Sequence, residues 1–337
     1  MKILVSLLTT LVVFSISNNA HALLTFEQKT EWNQKLAGCQ KDCYVLAQQF
    51  MTVFKKNYPT AMFQLDPLAQ TTLLYIHSYT LNPEVTTDHG GFWSALASSN
   101  MAVNLVAPVL TAHEEDATKE DFAKVTPEQW ILDAELALNT AVALGKPVIV
   151  KGFSLGGLLA SYLAAKYPNK VTKLILGSPA VMITQRADNV TCLAKTKIVH
   201  GIATLFYPAG SSQENIDYYD RFLFGSCALG DTILKIRGEF PEPMTPYSEA
   251  NDAYHEQQMR QVALFARHIK VPTLMVYSES DNAVDASALE TFAKNLPKAK
   301  LIVYTKDREI DHVGATYNHS NSNGGDTFGQ IVKFMEE

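Results

Sequence analysis

The apolar positions of this chain fall into two kinds of run: short, largely uninterrupted stretches and longer ones with helical spacing. Thr71 to Ile76, Met101 to Val106, Val148 to Val150, Lys173 to Leu176, Pro272 to Tyr277 and Lys300 to Tyr304 are of the first kind. Such runs suit strands buried on both faces, as in a parallel sheet. Between them, Thr126-Pro127-Glu128-Gln129 opens a helix with a capping hydroxyl, a proline at the first helical position and a glutamine closing the box. That helix continues to Leu144 and stops at Gly145. Gly156 to Ala165 and Thr327 to Met335 predict two more. Residues 26 to 57 read as helical, with Trp32, Leu36, Val45, Leu46, Phe50 and Phe54 on one face and Tyr58-Pro59 ending the run. This arm is expected on the outside of the domain.

Strands therefore alternate with helices, which predicts an α/β fold: a mostly parallel central sheet with helices on both faces. The rhythm lapses from about Thr184 to His268, where no strand pattern occurs and aromatics gather (Phe206, Tyr207, Tyr218, Tyr219, Phe222, Phe224, Tyr247, Tyr254). The simplest division is an N-terminal helical arm over 23–70, a core over 71–183, a helical cap inserted over 184–269, and the second part of the core over 270–337.

The run Val148-Ile149-Val150 leads into Gly152-Phe153-Ser154-Leu155-Gly156, a G-x-S-x-G pattern followed at once by the small-residue helix. Alone, the pattern arises by chance in roughly one chain in ten of this length. Between a buried strand and a helix it gains a physical meaning. A turn that tight holds the serine in a strained conformation, and glycines leave room for strand and helix to pack. The Ser154 hydroxyl then projects at the strand's C-terminal edge, beside backbone N–H groups able to receive a developing negative charge.

Length and composition narrow the rest. At 337 residues the chain can bury a sizeable core, and a net charge of −6 without a basic stripe argues against nucleic acid as a partner. Met1-Lys2, the apolar run Ile3 to Ile16 and Ala20-His21-Ala22 have the form of a signal peptide over 1–22, cleaved after Ala22. The run is too short for a membrane span, so export to the periplasm or the outside is expected, with no stable span after cleavage. All four cysteines lie beyond that point, where disulfides are permitted. Cys192 with Cys227 is the favoured pair, both falling in the expected cap. Cys39 and Cys43, one helical turn apart, pair with each other or stay thiols. No histidine lies at metal-ligand spacing from either pair, so no metal is expected.

A serine hydroxyl needs a histidine base, itself oriented by a carboxylate. In a parallel sheet such groups sit beyond the C-terminal ends of strands. His312, in the loop after the last strand, meets this rule, and His77 directly follows the first strand. His113 is a weaker candidate, and His89-Gly90-Gly91 lies too far beyond its strand and reads as a helix start. For the carboxylate, the loop after Tyr277 offers Glu279, Asp281 and Asp285, with Asp281 best placed at the strand's mouth.

The chain resembles the α/β-hydrolase superfamily, and within it the capped serine esterases and lipases of the monoglyceride-lipase kind. The likeness runs from residue 71 onward. It rests on the elbow, on Pro272-x-Leu274 leading to Asp281-x-x-Val284, on the histidine after the last strand and on the cap between the two halves. The order serine, acid, histidine is also the family's. The resemblance implies Ser154 as nucleophile, His312 as general base and then acid, and Asp281 as the orienting carboxylate. It implies an oxyanion hole from the N–H of Leu155 and that of Tyr79, with His77 bracing the loop. Two departures stand out: Ser78 where the family has glycine, and Ser278 where glycine is common. The expected activity is that of an exported serine hydrolase cleaving carboxylic esters, its substrate a small-molecule ester or lipid-like, without cofactor. Thioesterase, amidase or peptidase chemistry uses the same triad, and a non-catalytic binding protein would need only the scaffold.

Overall fold

The computed structural model describes residues 23–79, 83, 92–99, 101–114, 116–183, 228–240, 251–312, 315, 319 and 326–337. Seven strands form one sheet in the order β1-β3-β2-β4-β5-β6-β7. They are β1 (Met62–Gln64), β2 (Thr71–Ile76), β3 (Val103–Ala107), β4 (Val148–Phe153), β5 (Lys173–Gly177), β6 (Thr273–Ser278) and β7 (Ala299–Tyr304). Every neighbouring pair is parallel except β1 with β3. The expected α/β sheet is thus present, with each of the six sequence-read strands within a few residues of its reading. The edge strand β1 escaped that reading, because its three residues, Met62 to Gln64, are too short a stretch to show a strand pattern.

Burial on both faces follows from the pleat. Along β4, Val148 and Val150 join one core, and Ile149 between them joins the other. The first core is covered by α1 (Phe26–Ala37), α2 (Cys43–Asn57), α5 (Pro127–Ala143) and α6 (Leu155–Lys166). The second is covered by α3 (Phe92–Ser98) and α10 (Thr327–Glu336). In this second core the Lys151 ammonium lies 4.7 Å from the Tyr75 ring centroid and 4.5 Å from that of Phe92. Burial without a partner carboxylate lowers it to about 8. The polar stretch after β3 holds a short helix, α4 (Lys119–Lys124), started by a Thr118–Asp121 capping box.

The N-terminal run is two helices rather than one. Gly38 caps α1, and Asp42 takes a left-handed φ of 56° before α2. A Cys39–Cys43 disulfide spans this corner. The corner interrupts the single apolar face expected from residue 26 to 57. Cys192 and Cys227 lie outside the described residues, as do the expected signal peptide, the aromatics named for the cap and His89-Gly90-Gly91. Within 184–269 two stretches are described, and both are helical: α7 over 228–238 and α8 (Asn251–His268). Helix α9 (Ala286–Asn295) follows β6. Among the described residues no helix is long and apolar enough to cross a membrane.

Candidate active site

Strand β4 delivers Ser154 into a sharp turn, with φ 54° and ψ −118°, and α6 starts at the next residue. Non-glycine residues rarely adopt such a φ, so the surroundings must hold it. Three backbone bonds do so: Ser154 N–H to Gly177 O (2.9 Å), and the N–H groups of Leu158 and Ala180 to Ser154 O (both 2.9 Å). The glycines are dictated by contact. A Cβ on Gly152 would lie 2.1 Å from Gly156 O, and one on Gly156 would lie 2.1 Å from Ile76 O and 2.4 Å from His77 O. The elbow therefore rests directly on the end of β2.

The structure brings Ser154, His312 and Asp281 into one hydrogen-bonded line. His312 Nε2 lies 2.9 Å from Ser154 Oγ, and His312 Nδ1 lies 2.7 Å from Asp281 Oδ2. The other carboxylate oxygen, Asp281 Oδ1, accepts from the N–H groups of Ala283 (3.0 Å) and Val284 (2.8 Å). Burial pushes this carboxyl up, but the bond and charge of His312, together with those two N–H groups, hold it below the usual carboxylate range. All three side chains belong to buried residues, and Phe153 packs on the His312 ring at 4.9 Å between centroids. The rival carboxylates are engaged elsewhere. Glu279 is exposed and accepts from Lys306 N–H (3.0 Å), while Asp285 caps α9 through Ala288 N–H (3.0 Å).

Of the two expected oxyanion donors, the Leu155 N–H belongs to the first turn of α6, where helix N–H groups have no intrahelical acceptor. Tyr79 sits in the loop that Gly156 touches through His77, and its buried ring packs edge-on against Phe122 and Trp130. The departure at Ser78 has a simple reason: it is not among the residues with positive φ, so its backbone needs no glycine. His77 is fully buried and saturated by backbone, Nδ1 donating to Ser78 O (2.9 Å) and Nε2 accepting from Leu110 N–H (3.0 Å). Burial lowers it to about 4, so at neutral pH it is an uncharged brace of this loop. His113 packs on that ring at 4.8 Å and is itself bonded to Thr111 O.

Two contributors escaped the sequence reading. Ser278 Oγ donates to Ile310 O (2.5 Å) and accepts from Ser280 N–H (3.1 Å), tying the acid loop to the loop that carries His312. Asn282 Oδ1 accepts the N–H of His312 at 3.4 Å. Ser278 was visible in the sequence only as a departure from glycine, and its partner is thirty-two residues away. Among the described residues no cluster of side chains could hold a metal ion.

Lipase LipV of Mycobacterium tuberculosis is 32% identical over 100 residues, covering 29% of this chain and 35% of that protein. The pimeloyl-[acyl-carrier protein] methyl ester esterase of Neisseria meningitidis is 26% identical over 177 residues, 52% of this chain and 67% of that enzyme. The chain thus spans about a third of the first relative's length and two thirds of the second's. A solved structure from work on the metagenome-derived lipolytic enzymes LipS and LipT superposes with a TM-score of 0.52 at 15% identity, over 82% of this chain and 96% of that one. That likeness is one of fold. The family model described as the α/β hydrolase fold matches residues 132–314, more than half of the chain, and so the chain belongs to the α/β hydrolase fold family.

Proposed function

We propose that this protein is an exported serine hydrolase that cleaves carboxylic esters through an acyl-enzyme on Ser154. The observation that carries the reading is the unbroken line Ser154 Oγ, His312 and Asp281, at 2.9 and 2.7 Å, on a serine held at φ 54°. In this mechanism His312 Nε2 takes the Ser154 proton as Oγ attacks the ester carbonyl, and Asp281 holds the imidazole with Nδ1–H toward itself. Negative charge develops on the carbonyl oxygen, where the N–H groups of Leu155 and Tyr79 receive it. One such donor is worth on the order of 10²- to 10³-fold in rate. His312 then protonates the leaving alcohol, and water repeats the cycle to release the acid. The reaction as drawn uses only these groups, with no cofactor.

The choice of ester over amide leans on the activities of the two relatives, a lipase and a methyl ester esterase. Export rests on the N-terminal pattern ending at Ala22, and the helical cap on the two helices described within 184–269. A fluorophosphonate probe tests the core of the proposal. The wild type should be labelled on Ser154 and Ser154→Ala should not. An unlabelled wild type, or a labelled Ser154→Ala, removes the nucleophile. A rate series on nitrophenyl esters of increasing acyl length, with a peptide amide control, then places the substrate within the class.

A further inference from the structure

Away from the triad, one pocket is lined by a buried carboxylate that makes no ion pair among the described residues. Its volume is about 500 Å³, and its walls include Leu23, Tyr58, Thr60, Glu114 and Asp116. Glu114 is only 7% exposed, yet among the described residues its carboxylate has no ion pair and no side-chain hydrogen bond, only its own backbone N–H. Burial pushes it up to about 7. The charges around it do not balance. Lys29 is the cation nearby, and its Nζ lies 2.6 Å from Asp133, bonded also to Thr111 Oγ1 at 2.9 Å. Asp133 thus occupies Lys29, while Tyr58 is neutral and pushed up to about 12 by burial. Glu114 and the more exposed Asp116 are left lining the pocket with no directly paired cation among the described residues, only the through-space pull of a Lys29 already bonded to Asp133.

Leu23 is the first residue after the expected cleavage point. The chain is pinned from there on: Leu24 packs against the core, and Thr25 forms a reciprocal capping box with Gln28 on α1. Hydrolysis of the Ala22–Leu23 peptide bond by an export-associated peptidase would consume one water. It would leave a carboxylate on Ala22 and an α-ammonium on Leu23, at this pocket's wall.

We propose that the pocket is the seat of the chain's own processed N-terminus, the Leu23 α-ammonium pairing with the Glu114 carboxylate and Asp116 standing alongside. Cleavage then supplies a directly paired cation and anchors the start of α1 against the loop after β3. The same loop carries His113, whose ring packs on His77 and Tyr79, so the seat adjoins the proposed oxyanion loop. The inference rests on the export reading and not on the chemistry of Ser154.

The test uses the exported, processed protein. N-terminal sequencing should begin Leu-Leu-Thr; any other start overturns the pairing, and a chain left uncleaved overturns the export reading with it. Competitive acetylation with acetic anhydride across pH 6–10 then reads the α-amine itself. Pairing should raise its pKa by about one unit or more above the ordinary value of about 8, making labelling near pH 7.5 roughly tenfold slower. Glu114→Gln should restore the ordinary value, with folding checked by circular dichroism. A chain beginning at Ala22 should restore it too, since one added residue moves the ammonium by about 3.5 Å without touching the pocket. An ordinary α-amine in the processed wild type, or a raised one that neither change lowers, overturns the pairing while leaving export intact.

Discussion

Two of the buried polar networks among the described residues differ in one respect. In the Lys29–Asp133–Thr111 network, Asp133 Oδ1 takes the lysine, while Oδ2 takes both the Thr111 N–H (2.6 Å) and its hydroxyl (2.7 Å). Burial alone would pull Lys29 down, but Asp133, with Tyr58 and Glu114 adding to it, outweighs burial and Lys29 sits above its ordinary value. Its ammonium is spent on fixed partners. In the Ser154–His312–Asp281 network the carboxylate is likewise saturated, but the line ends on a hydroxyl at the C-terminal edge of β4. Saturation at every member makes a clamp, whereas saturation at one end and a nucleophilic oxygen at the other makes a proton relay. The same contrast separates the imidazoles: His77 spends both nitrogens on backbone, His312 on two side chains.

The comparison can be broken from either side. The largest effect is expected for Asp281→Asn, which should lower kcat for a nitrophenyl ester by roughly 10⁴-fold through loss of the imidazole's tautomer and orientation, with stability little changed. Steady-state kinetics beside urea melts would read this. Lys29→Met should do the reverse, destabilising by about 3–5 kcal/mol because Asp133 stays charged and buried. Activity per folded molecule should hold, and Lys29→Met with Asp133→Leu should recover most of the loss. An equal fall in kcat for Lys29→Met would erase the distinction.

Acid should sharpen it. His77 is held at about 4 in the fold against an ordinary 6.5, so below pH 6.5 the unfolded chain takes the proton first. Stability should fall as pH drops from 6.5 to about 4 and then level for this group, roughly 3 kcal/mol in all. Urea melts across that range should show the slope, and His77→Gln should flatten it. The smallest effect is expected for Ser278→Gly, which frees Ile310 O and Ser280 N–H. A loss of about 1–2 kcal/mol in positioning would appear as roughly tenfold in kcat with KM unchanged.

Local pattern carried the strands, the elbow and the order of serine, acid and histidine, because buried parallel strands and a glycine-flanked turn leave signals within a few residues of themselves. Pattern also narrowed the acid to three carboxylates in one loop. It could not choose by contact among Glu279, Asp281 and Asp285, since the choice depends on which one faces an imidazole thirty-one residues later. The corner at Gly38–Asp42, strand β1 and the bridge from Ser278 to Ile310 were hidden for the same reason. Sequence by itself determined which residue types stand at strand ends and so what chemistry the chain can attempt. Tertiary structure alone decided which of those groups meet, because a hydrogen bond is made or lost over a few tenths of an ångström, a distance that the packing of remote segments sets.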